Sequence, residues 1–172
     1  MIVNSLEQIN ALRNAIAKNA DASYVSIRKR IEDMTPMQFF ASIKFEKLGK
    51  DPVGGEPQNL IEQINQTYSD MVVLSAAEDL LNLYPGTSLV LQLGVSSGYD
   101  IESEDGTIAA ECFAVTTVSS NRKLDKDCKK LLQSVAPIKC VYFYSALDGE
   151  EKLQNQYRKY PDIRFKRIIF DF

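Results

Sequence analysis

Asp105-Gly106, set between two alternating runs, constrains this chain more than any other feature. The segment reads Gly98-Tyr-Asp-Ile-Glu-Ser-Glu-Asp-Gly-Thr-Ile-Ala-Ala-Glu-Cys-Phe-Ala-Val115, and Asp-Gly readily adopts the positive φ angles of a tight hairpin turn. Strands are therefore expected over 98–103 and 108–117. Counting outward from a two-residue loop pairs Glu104 with Thr107, Ser103 with Ile108, Glu102 with Ala109, Ile101 with Ala110, and Asp100 with Glu111. Directly opposed residues share a face with Cβ atoms roughly 5 Å apart, so two like charges there destabilise the pair. A divalent cation between the carboxylates would offset that repulsion, and hard oxygen donors suit Mg²⁺ or Mn²⁺. The competing reading is an exposed acidic hairpin whose charges splay into water, or one carboxylate with a raised pKa. Glu102 shares the face and is placed at its solvent end.

The 172 residues suffice for one domain with a sizeable core, read as a helical front over 1–49 packed on an α/β body over 57–172. Ser5-x-x-Gln8 resembles a capping box opening a helix to about Lys18. Asp21 or Ser23 can cap a second, short helix, and Thr35-Pro36 opens a third that Gly49 ends. Residues 49–57, rich in Gly and Pro, break regular structure. A long helix follows from about Gln58 to Leu83, its apolar residues at helical spacing. Ser88–Gly94 reads as a strand before the hairpin. Ser120 caps a helix over 121–135, Ile138–Tyr144 is an apolar strand, 150–160 is moderately helical and 163–172 is a last strand.

The chain contains no histidine, which removes Ser-His-Asp and Cys-His triads, His-coordinated zinc and imidazole acid–base catalysis. Chemistry falls to carboxylates, Lys, Tyr, Ser, Thr or a metal. A net charge of -3 argues mildly against a dedicated, tight nucleic-acid binder, whose affinity rests on neutralising phosphates. The basic residues still cluster, one group being Arg122, Lys123, Lys126, Lys129 and Lys130 and another Arg158, Lys159, Arg164, Lys166 and Arg167; such clusters read first as solvated faces. Cys112, Cys128 and Cys140 are widely spaced in apolar patterns and read as reduced, small hydrophobes. No apolar run approaches a membrane span, and the N-terminus lacks the basic and apolar regions of a signal peptide. A cytoplasmic protein without a membrane partner is expected.

The order helix, three strands, helix, strand, with Gly-x-Asp-Ile opening the second strand and Ala-Glu-x-Phe in the third, resembles the PD-(D/E)XK nuclease superfamily over roughly residues 57–145. That family places an Asp at the start of the hairpin, a Glu across from it ten or more residues on, and a Lys two positions after the Glu. Asp100, ten intervening residues and Glu111 match. The resemblance implies an α/β fold with a restriction-endonuclease-like core and an N-terminal helical extension. It also implies Mg²⁺ or Mn²⁺ held by Asp100 and Glu111, and hydrolysis of phosphodiester bonds in nucleic acid, DNA ahead of RNA. Glu62, early in the long helix, matches the place where members often carry an extra metal-binding Glu.

The departure is at the lysine. Position 113 shares the face of Glu111, because strand side chains alternate, and it holds Phe113. A phenyl ring cannot orient water or stabilise charge developing on a phosphate. Either the lysine has migrated, with Lys123 or Lys126 at the start of the next helix reaching the site, or catalysis has been lost and Phe113 packs. In the second case the chain is a nuclease-fold subunit that binds nucleic acid or a partner protein. Self-association is left open.

Overall fold

A computed structural model describes residues 1–94 and 98–170. The chain runs β1 (Ile2–Val3), α1 (Leu6–Ile31), α2 (Pro36–Phe45), β2 (Gly49–Lys50), β3 (Pro57–Gln58), α3 (Leu60–Leu83), β4 (Leu89–Leu91), β5 (Ile101–Ser103) and β6 (Ile108–Val115). A 3-10 turn at Ser120–Arg122, α4 (Lys123–Leu132), β7 (Ile138–Ser145), α5 (Glu150–Tyr157) and β8 (Arg164–Arg167) follow. The first three helices open on caps the sequence provides, whereas α4 and α5 have no side-chain cap, and the cap expected from Ser120 does not form. Ser5 accepts from the Gln8 N–H, Thr35 and Gln38 close a capping box ahead of Pro36, and Asn59 accepts from the Glu62 N–H.

The expected break after Lys18 is absent: α1 is one helix of 26 residues. Ser23, one of the two residues read as a cap, is satisfied within the helix. The Ser23 hydroxyl donates to the Asn19 carbonyl one turn back, and the Asn19 amide donates to the Pro52 carbonyl. Residues 49–57 are also more regular than expected, because β2 and β3 pair as a short antiparallel ribbon.

Six strands form one mixed sheet in the order β1-β4-β5-β6-β7-β8. From β1 to β6 the pairings are antiparallel, whereas β6–β7 and β7–β8 are parallel. Each parallel pairing needs a crossover, which α4 and α5 supply. The edge strand β1 is a feature the sequence reading missed; the terminal ammonium donates to the Leu91 carbonyl at 2.8 Å.

The hairpin pairs in the expected register, Ile101 with Ala110 and Glu102 with Ala109. Its turn differs. The Gly106 N–H donates to the Ser103 carbonyl, Gly106 takes φ 72°, and the Asp105 carboxylate accepts from the Thr107 N–H, so the connection spans 104–107. Two- and four-residue connections leave the same residues opposed, which is why the register survives the change of turn. The last strand is shorter than expected, β8 ending at Arg167.

The sheet buries both faces. On one, Ile101, Ala110, Cys112, Cys140 and Tyr142 pack with Val72, Val73, Ala76, Ala77 and Leu80 of α3 and with Ile9 and Ile16 of α1. On the other, Ala109, Phe113, Val141 and Phe143 pack with Leu124, Cys128 and Leu131 of α4 and Leu153 of α5. All three cysteines are free and buried. Among the described residues no helix is long and apolar enough to cross a membrane.

Candidate active site

Glu111 lies between Ala109 and Phe113 in β6, so alternation aims it at the α4 face of the sheet. It is 2% exposed, an unusual position for a carboxylate. Asp100 immediately precedes β5 and, continuing the register, stands across from Glu111. Its Oδ2 accepts from the Cys112 N–H at 2.7 Å. The two acids that the turn arithmetic paired are thus brought together.

Helix α4 presents Lys123, Asp127 and Lys130 to this pair at helical spacing. Lys130 Nζ is 2.5 Å from Glu111 Oε1 and donates to the Gly98 carbonyl at 2.5 Å. It also lies 5.2 Å from the centre of the Tyr99 ring. Lys123 Nζ donates to Asp127 Oδ1 at 2.8 Å and sits 5.8 Å from the centre of the Phe113 ring. Phe113 itself is buried and stacked on Phe143, as the packing alternative expected. Arg122, where α4 begins, holds φ at 56°, the one positive φ among described non-glycine residues.

Two of the expected residues are elsewhere. Lys126 is exposed on the outer flank of α4. Glu62 is exposed in the first turn of α3, a turn anchored to the β2–β3 ribbon by the Lys50 N–H donating to Gln63 Oε1. The acid that α3 does bring to the pair is Asp70, two turns further on. Asp70 Oδ1 accepts from the Gly94 N–H at 3.1 Å, and the Asp70 and Asp100 charges oppose one another. Gly94 has φ 76°, a left-handed conformation that favours glycine over any residue with a Cβ.

Burial sets the proton balance. Desolvation, with the Asp100 and Asp127 charges adding to it and Lys130 opposing it, pushes Glu111 up to about 7. Burial likewise raises Asp70 to about 6 and raises Asp100 and Asp127. Desolvation works to lower Lys123, but Asp127, Asp100 and Glu111 outweigh it and hold the ammonium protonated. Lys123 therefore acts as a fixed positive charge.

The donor set suits a hard divalent cation. Asp127 Oδ2 is buried and accepts no hydrogen bond, and Glu111 Oε1 receives its ion-pair contact from Lys130 without a directed hydrogen bond. Carboxylates raised by burial regain their charged form when a cation arrives. Among the described residues no three His, Cys, Asp or Glu side chains are grouped to hold a metal ion; Asp100 and Glu111 are the two carboxylates that the hairpin register sets face to face.

Asp70, Asp127 and Lys130 were not anticipated as site residues. The helical spacing of Lys123, Asp127 and Lys130, and an acid inside the apolar run of α3, are the patterns that point to them. No family model matches this chain, and no curated protein or solved structure matches it either.

Proposed function

We propose that this chain is a divalent-metal-dependent nuclease with a restriction-endonuclease-like core, hydrolysing phosphodiester bonds in nucleic acid, DNA ahead of RNA. The observation that carries this reading is the cross-strand pair of half-buried Asp100 and buried Glu111, with the Lys123 ammonium on the α4 side of the same sheet. The element order α3, β4, β5, β6, α4, β7, with one antiparallel hairpin and one parallel crossover, supports it.

In this reading Asp100 and Glu111 hold Mg²⁺ or Mn²⁺, with Asp70 behind Asp100. A bound divalent ion supplies a Lewis acid for a phosphoryl oxygen and a lowered pKa for attacking water. The Cys112 N–H fixes one oxygen of Asp100, and Asp127 fixes the Lys123 ammonium. Lys123 then offers positive charge where negative charge develops on the phosphate, the task Phe113 cannot perform. The lysine has, in effect, moved from the strand to the helix that packs on it.

A second reading keeps the fold without catalysis, as a subunit that binds nucleic acid or a partner protein. Phe113 buried against Phe143 at the motif position favours it. A survey of single- and double-stranded DNA and RNA with Mn²⁺ separates the two. Cleavage is expected, abolished in Glu111→Gln and reduced roughly 10²–10⁴-fold in Lys123→Ala, the range for loss of one positioned catalytic group. Absence of cleavage on every substrate decides for the non-catalytic subunit.

A further inference from the structure

Lys130 stands where a metal ion's charge would stand. Its ammonium touches a carboxylate oxygen of Glu111 and the carbonyl oxygen of Gly98, both at 2.5 Å. Two hard oxygen donors converging on one positive centre are the coordination chemistry of a bound cation, here met by a side chain of the protein. The contact is not locked. Lys130 projects from the last turn of α4, and its side chain is 42% exposed, against 2% for Glu111. It keeps a flexible stem and a route to water. Lys123, by contrast, is tied down within α4 by Asp127.

From this geometry we infer that Lys130 is a tethered counter-ion that occupies the Asp100–Glu111 site in the metal-free protein and is expelled by an incoming divalent cation. A metal bound to Glu111 and the Lys130 ammonium repel one another at contact distance. Ionised, Asp70, Asp100, Glu111 and Asp127 outnumber the two lysines by two negative charges, so a divalent cation is attracted even with both lysines in place. Once expelled, Lys130 lies beside Tyr99 at the rim of the site, where its charge is free for a phosphate of the substrate. The inference rests on the proposed metal-binding reading and adds a competitor to it.

Two measurements on the whole 172-residue chain at pH 8 test it. Calorimetric titration with Mn²⁺ compares the native chain with Lys130→Met, which keeps the apolar stem and removes the charge. The variant is expected to bind Mn²⁺ about tenfold more tightly, or to bind when the native chain does not. Equal or weaker binding overturns the competition while leaving the metal site standing. No heat in either protein overturns both the competition and the metal reading. Should Lys130→Met fail to fold, amine-reactive labelling of the native chain, read peptide by peptide, still decides: Mn²⁺ is expected to increase modification of Lys130 severalfold and leave Lys126 unchanged. Labelling of Lys130 unaffected by Mn²⁺, or reduced by it, contradicts expulsion.

Discussion

At the scale of single residues, Glu111 carries the sharpest conflict between burial and charge. Its carboxyl ordinarily titrates at 4.5 and is held at about 7, so between these values the folded chain keeps a proton that the unfolded chain releases. Its contribution to stability is therefore full below 4.5 and is lost as pH rises through about 7. Asp70, raised from 3.8 to about 6, acts in the same direction over a lower window. Metal-free thermal melts are expected to show Tm falling from pH 5 to pH 8. Glu111→Gln should flatten the upper part of that fall and melt about 2–4 °C higher at pH 8, the shift that ~1 kcal/mol gives at this chain length. An unchanged pH profile in the variant would place the proton elsewhere. Asp127 makes a different demand, since its role is to hold Lys123. Asp127→Asn is expected to lower cleavage about tenfold or more while the protein stays folded, and in a double-mutant cycle with Lys123→Ala the losses should not add. Additive losses would separate the two residues' roles.

At the scale of elements, the proposed reading divides between β6 and α4 what the nuclease motif carries on one strand. Phe113 is buried and stacked on Phe143, so β6 has no room for a motif lysine. Phe113→Lys is expected to cost about 3 kcal/mol or more, through lost aromatic packing and a buried charge, and not to raise activity above that of the native chain. Urea unfolding measures the first and a cleavage assay the second; a stable, more active variant would contradict this account of the strand. The hairpin register was legible because pairing depends on parity and both connections preserve it; the turn itself was not, since Gly106 alone adopts the left-handed conformation and Asp105 is recruited by Ser103 and Thr107. Glu62 sits early in α3, where the resemblance places an extra acid, but that turn faces the β2–β3 ribbon, and the helix meets the acids at Asp70. The apolar periodicity of α3 neither singles out Asp70 nor shows that the helix meets the site there. Lys130 was hidden inside a basic run. Of that run, Lys123 and Lys130 face the acids, while Lys129 pairs with Asp125 on the outer side.

At the scale of the whole molecule, the sheet places the C-terminal end of β4, the start of β5, the middle of β6 and one face of α4 around a single cluster of opposed charges. Two lysines balance part of it, and the remainder is negative. The folded chain, which alone assembles this cluster, should therefore bind a divalent cation that the unfolded chain binds far less well. Thermal unfolding with and without Mn²⁺, in the native chain and in Asp100→Asn, is the most direct test. At a hundredfold excess over Kd, Mn²⁺ is expected to stabilise the native chain by about 2.7 kcal/mol, or roughly 5–10 °C in Tm, and to leave Asp100→Asn unmoved. Equal Mn²⁺ shifts in the two proteins, or no shift in either, would contradict a metal site built on Asp100 and Glu111.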